Sequence, residues 1–177
     1  RSYTNINTSA PGNPRNSEDY VVTDYAWDSR GNLITQTDPK GRSWITHYDE
    51  LSRVTDEYSP PWANGERNHT HYDYGNTGNL ETKTVKIWTP DDQNSTTYSA
   101  QTITTTMTYD PLDRLLTTTR GDRVTTRTYY ADGSLKSVRD PEGVYTTYTY
   151  NNRGLQEKII SRDTDNDPAT VPTDAIV

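Results

Sequence analysis

An all-β fold, a meander of antiparallel β-hairpin repeats forming one curved sheet, is predicted by three features of the sequence. The first is a seven-residue signature that keeps returning. It reads "WDSRGNL" from Trp27, "YDELSRV" from Tyr48, "YGNTGNL" from Tyr74, "YDPLDRL" from Tyr109, "YYADGSL" from Tyr129 and, in a worn copy, "YNNRGLQ" from Tyr150. The second is its spacing, 21, 26, 35, 20 and 21 residues from anchor to anchor. A base period of 20–21 residues, lengthened in two steps by insertions, marks stacked supersecondary units. The third is composition. The chain has 14 Tyr, 4 Trp and no Phe, and Thr is abundant. These residues suit a pleated, half-wet surface.

Each signature reads as a hairpin. A three-residue loop made of a type I turn and a left-handed Gly places Ser29, Arg30 and Gly31 at the first tip. Asp28 then opposes Asn32, and Trp27 opposes Leu33. The same offset pairs Tyr48 with Val54, Tyr74 with Leu80, Tyr109 with Leu115 and Tyr129 with Leu135, while Gln156 stands where Tyr150 would meet a Leu. An aromatic facing an aliphatic across a hairpin contributes about 0.2–1 kcal/mol.

A second turn lies between signatures. "DPKG" (Asp38, Pro39, Gly41) and "DPEG" (Asp140, Pro141, Gly143) carry the Asp, Pro and Gly preferences of a type I turn. Strand alternation makes a 21-residue step need one odd loop and one even loop. The DPxG turn is therefore expected to be even. The 20-residue step from Tyr109 to Tyr129 then calls for an odd loop at "RGD", Arg120 to Asp122. Equivalent anchors sit two strands apart, about 9.5 Å, too far for their rings to touch. About a dozen strands follow, in six repeats over residues 25–160 with insertions near 59–68 and 89–101. Residues 1–24 read as an N-terminal extension or inter-repeat insertion, and 161–177 as an acidic insertion or tail.

Composition excludes several functions. With 18 Lys plus Arg against 25 Asp plus Glu, the net charge is −7, unlike a surface for nucleic acid or anionic lipid. There is no Cys, hence no disulfide and no zinc–thiolate site. No apolar run is long enough for a membrane-spanning helix. Mean hydropathy is −1.07, which leaves no large dry core. The chain begins with Arg1, and its single Met is Met107. It reads as a segment of something larger.

Several short motifs invite sharper readings. Asp163, Asp165 and Asp167 in "RDTDNDP" are spaced like the first ligands of a calcium loop. Pro168 replaces the expected Gly and no Glu follows, so an acidic insertion is the preferred reading and calcium the alternative. His69, His71 and Asp73 would share one strand face. Alternating His can bind zinc, but solvated strand positions are the preferred reading and metal the alternative. "RGD" at a hairpin tip would be exposed. Asn7, Asn68 and Asn94 match the glycosylation pattern. Carboxylates are plentiful, but no Ser-His-Asp grouping, phosphate loop or metal-ligand set singles out a catalytic pair. No catalytic residue and no cofactor are expected.

The pattern Y-D-x-x-G-x-L in a 21-residue period, carried by the six copies quoted above, resembles the YD repeats of RHS proteins. Related arrays occur in the C subunit of bacterial Tc toxins, in cell-wall-associated RHS proteins and in teneurins. The resemblance covers Tyr25 to Ile160. It departs from the pattern at Trp27, at Gly75 and Tyr130 in the Asp position, and at Asp113 in the Gly position. It implies part of a hollow shell of antiparallel sheet. The implied role is non-catalytic: secreted or surface-bound, bacterial, and enclosing or presenting a toxin or other polypeptide. Implied partners are the remaining repeats or neighbouring chains, met through sheet edges. The alternative is an extracellular adhesion region whose exposed Tyr and Trp bind glycans.

Overall fold

The computed structural model describes residues 2–5, 20–92 and 96–163. Thirteen strands lie in the hydrogen-bonded order of the chain. They are β1 Ser2–Asn5, β2 Tyr20–Trp27, β3 Leu33–Thr37, β4 Ser43–Tyr48, β5 Val54–Tyr58, β6 His69–Tyr74, β7 Leu80–Pro90, β8 Tyr98–Tyr109, β9 Leu115–Arg120, β10 Arg123–Tyr129, β11 Leu135–Arg139, β12 Val144–Tyr150 and β13 Gln156–Asp163. No described residue is helical. β1 lies within the stretch read as an extension and pairs antiparallel with β2. The stretch 89–101 takes in the adjoining ends of β7 and β8, both long strands.

The chain forms two compact units. One comprises residues 1–75 and 82–104, the other 76–81 and 105–177. In the first, Trp27 pairs with Leu33 and Tyr48 with Val54. In the second, Tyr109 pairs with Leu115, Tyr129 with Leu135 and Tyr150 with Gln156. Tyr74 ends β6 and Leu80 begins β7.

The loop parity differs from expectation, and the reason is a bulge. Both turn types close identically. Gly31 N–H donates to the Asp28 carbonyl (3.1 Å) and Asp28 N–H to Asn32 (2.9 Å); Gly41 donates to Asp38 (2.9 Å) and Asp38 to Arg42 (3.0 Å). Thr37 then pairs directly with Ser43. The DPxG loop is thus odd, with three residues. The even step comes from the strand, because the register slips between Ala26 and Trp27. Ile34 is left over, and Thr55, Leu116, Lys136 and Glu157 are its equivalents. One extra residue in each of these five hairpins flips the faces. The "RGD" turn is corrected likewise. Arg120 pairs with Arg123, leaving a two-residue loop, with Gly121 at φ 59°.

No hydrophobic side chain among the described residues is buried, and the one fully buried residue is Ser137. Hydroxyls take the place of a dry core. Register partners Thr37 and Ser43, Thr108 and Thr117, Thr128 and Ser137, and Thr146 and Ser161 join oxygen to oxygen at 2.9, 2.7, 2.6 and 2.9 Å. The abundant Thr thus serves cross-strand pairing.

Candidate functional site

Two arrangements stand out, one on each face of the strands. The anchor face carries a repeated hydroxyl bond. Tyr48 Oη donates to the Leu33 carbonyl (3.1 Å), Tyr74 to Val54 (2.9 Å), Tyr109 to Leu80 (2.8 Å), Tyr129 to Leu115 (2.8 Å) and Tyr150 to Leu135 (3.0 Å). The acceptors Leu33, Val54, Leu115 and Leu135 start strands whose pairing with the following strand begins only two residues later. Their carbonyls fall short of that ladder. The next repeat's Tyr supplies the missing donor, as a backbone acceptor turned from water requires. Phe would fit the ring but not the bond. A chain with 14 Tyr and no Phe carried that signal, but the sequence reading stopped at ring packing.

The hairpin tips are knitted as well. Oδ1 of Asp28 accepts from the backbone N–H of Arg30 and Asn32, both at 2.9 Å. Asp38, Asp49, Asp110, Asp140 and Asn151 accept from the equivalent two groups. Pro39 and Pro141 sit in these turns, and Gly31, Gly41 and Gly143 take φ of 87°, 76° and 89°. Arg53 closes on Asp49 (2.7 Å) and Arg114 on Asp110 (2.6 Å). Their guanidinium groups stack on the next anchors, 4.3 Å from the Tyr74 ring centre and 4.8 Å from that of Tyr129.

These bonds shift the carboxyls. The Asn32 side-chain amide, first, holds Asp28 below the ordinary carboxylate range. The Arg53 backbone N–H, first, does so for Asp49. At Asp38 and Asp110 desolvation works upward, but the backbone and side chains of Arg42 and Arg114 outweigh it and both end lowered. A carboxyl depressed in the folded state contributes stability above its unfolded value, near pH 3.8–3.9, and loses it as pH falls through the folded value. The melting temperature should therefore hold from pH 6 to 5 and drop steeply from about pH 4 to 2. Thermal melts across that range check this, and a flat profile to pH 2 would contradict it.

The opposite face of the first unit gathers all three histidines. His47 on β4, Asp56 on β5 and His71 on β6 are successive register partners. His69 Nε2 and His71 Nδ1 both meet Asp56 Oδ1, at 2.7 and 2.8 Å. His71 Nε2 meets Asp73 Oδ1 at 3.1 Å. The His69 ring stacks on Tyr58, 4.3 Å between centres and 4° from parallel. The bond to Asp56 leads the upward shift of His71. Asp56 ends lowered, because the bonds from His69 and His71 outweigh its desolvation. The sequence singled out His69, His71 and Asp73, but missed Asp56, which only strand register brings between the imidazoles.

Other expected sites fare differently. Asp165 and Asp167 lie outside the described residues, as does the side chain of Asp163. So do Asn7 and Asn94. Asn68 is half-buried, with Oδ1 accepting from Trp88 N–H (2.7 Å) and Trp62 Nε1 (3.3 Å). Arg120, Gly121 and Asp122 are exposed at their tip. No helix among the described residues is long and apolar enough to cross a membrane.

Comparison with known proteins gives one family. The RHS Repeat matches residues 27–60 and 129–165. No curated protein matches. Among solved structures, the chain is similar to one in the Photorhabdus luminescens Tc holotoxin pore carrying the TccC3 mutation D651A, with 19% identity and a TM-score of 0.46 over 87% of this chain. It is also similar to one in the crystal structure of TcdB2-TccC3-TEV, with 13% identity and a TM-score of 0.44 over 85%. The chain spans 9% of the length of each.

Proposed function

We propose that the chain, whose residues 27–60 and 129–165 match the RHS Repeat, is a structural, non-catalytic stretch of wall in a secreted bacterial RHS-type shell, which encloses or presents a polypeptide. The observation that carries the reading is the tyrosine–carbonyl bond repeated at five anchors. Each repeat is fastened to the one before it, so the unit is made to be extended. β13 ends the order and meets only β12 among the described strands. Its Ile159 and Ile160 are exposed. An unpaired edge of this kind calls for another strand, from further repeats or a neighbouring chain. A lining of hydroxyls and charges would hold a poorly folded cargo weakly at many points.

Limited proteolysis of the full-length protein tests this. The enclosed polypeptide should resist cleavage in the wild type and become accessible when the wall is weakened at Tyr129. Equal cleavage in both would overturn enclosure. Non-catalysis is checked separately, by replacing the exposed carboxylates Asp73, Glu142 and Asp132 one at a time. No such variant should lose a turnover while keeping its wild-type melt, and one that did would make this an enzyme.

One observation favours glycan binding as a second reading. A shallow groove of about 360 Å³ on the anchor face is lined by Trp44 with Gln36, Glu57 and Asn68 among others. An exposed indole beside amide and carboxylate groups suits sugar stacking. A glycan array probed with the wild type and Trp44→Ala decides it: a signal lost in the variant supports binding, and no signal ends the reading.

A further inference from the structure

We propose that Asp56, His69 and His71 form a zinc-class divalent metal site that clamps β5 to β6 at the base of the 59–68 loop. The three donors all lie within 4.8 Å of one another. Bonds of about 2.0–2.1 Å to imidazole and carboxylate place ligand atoms roughly 3.3 Å apart around a tetrahedral ion. His69 Nε2 and His71 Nδ1 stand 2.7 and 2.8 Å from Asp56 Oδ1. A shift of about half an ångström per pair would open the space for the ion. Two imidazoles with one carboxylate match the donors of three-ligand zinc sites, which keep their remaining position for water. The side chains are 30%, 40% and 18% exposed for His69, His71 and Asp56, so that position faces solvent.

The outer groups support the same assignment. A metal-bound imidazole usually donates its other N–H to a carboxylate, which fixes ring and tautomer. His71 presents Nδ1 to the site, and its Nε2 meets Asp73 Oδ1 at 3.1 Å. The stacked Tyr58 ring holds His69 in plane. Tyr58 and His69 are the last register pair before the loop, and Asp56 and His71 lie two positions further in. Ser59 N–H closes the loop on the Asn68 carbonyl at 2.9 Å. A metal bound here would cross-link the two strands beside the long connection that joins them. On binding, the cation replaces the protons at His69 Nε2 and His71 Nδ1, which leave to solvent or, for a neutral His69, move to its Nδ1; the two hydrogen bonds to Asp56 Oδ1 give way to coordination, and His71 keeps its Nε2 proton on Asp73.

The test is titration of the untagged chain with Zn²⁺ by calorimetry and with Co²⁺ by absorption spectroscopy. One equivalent should bind, with visible cobalt bands. His69→Gln and Asp56→Asn should each abolish saturable binding. Asp73→Asn, at an exposed position, should fold normally and weaken binding about 10- to 100-fold. Glu57→Gln, on the other face, should change nothing. Nitrogen-15 NMR should place the metal on His71 Nδ1 with Nε2 protonated, and zinc should slow proteolysis within 59–68. No saturable binding, binding unchanged in both His69→Gln and Asp56→Asn, or equal preference for Ca²⁺ would overturn the site. Circular dichroism separates a lost ligand from a lost fold, and a well-folded Asp73→Asn with unchanged affinity would overturn the role of Asp73.

Discussion

Replacing Tyr129 by Ala is expected to destabilise the second unit by roughly 1–3 kcal/mol, the cost of exposing a largely covered aromatic. Three interactions are lost together: the cross-strand pairing of the aromatic with Leu135, the Arg114 guanidinium 4.8 Å from the ring centre, and the bond from Oη to the Leu115 carbonyl at 2.8 Å. Tyr129→Phe isolates the third and should cost about 0.5–1.5 kcal/mol, the net value of one hydrogen bond. Tyr48, Tyr74 and Tyr150 make equivalent bonds. Their Phe variants should lower stability by comparable amounts, nearly additively when well separated. Urea unfolding followed by circular dichroism measures all of these. A Tyr129→Phe protein with the wild-type midpoint would remove the hydroxyl bond from the account.

Gly133→Val should cost about 1–2 kcal/mol through the backbone alone. Gly133 has φ 91°, and a Cβ built there meets nothing within 4 Å. No clash contributes, so the strain is that of an L-residue in the left-handed region, worsened by β-branching. Two natural exceptions set the comparison. Ser52 and Asp113 hold φ of 60° and 61° at equivalent tips. Each has a use for its side chain: Asn32 donates to Ser52 Oγ (3.1 Å) and Asn79 to Asp113 Oδ1 (2.6 Å). Val offers no such acceptor. Gly133→Asn, tolerated in this region, should cost less than Val in the same urea experiment. A Val variant as stable as the wild type would refute the backbone argument.

The sequence made the strands and the signature hairpins legible because short-range chemistry writes them. Trp27 and Leu33 pair because a three-residue turn separates them, and Asp28 closes that turn through two backbone donors. The loops were misjudged by one residue for a single reason. Counting face alternation assumes an unbroken ladder, and the bulge at Ile34 and its four equivalents breaks it. The difference between the 21- and 20-residue repeats was therefore right, while each loop length was wrong: three residues at Asp38, two at Gly121. Nothing in the residue types at Ile34, Thr55 or Lys136 marks a bulge. Asp56 stayed hidden because its partners lie 13 and 15 residues away, and only register joins them.

The scarcity of buried hydrocarbon has a thermal consequence. The heat-capacity increment of unfolding grows with newly wetted apolar area and shrinks with newly wetted polar area. A sheet whose one fully buried described residue is a serine exposes mostly hydroxyls, amides and aromatic edges when it comes apart. Its increment should fall below the about 12–15 cal/mol/K per residue of ordinary domains. The enthalpy of melting then changes little with temperature, and the stability curve is shallow and wide. Such a sheet would keep its strength in the cold, where proteins sustained by oily interiors weaken.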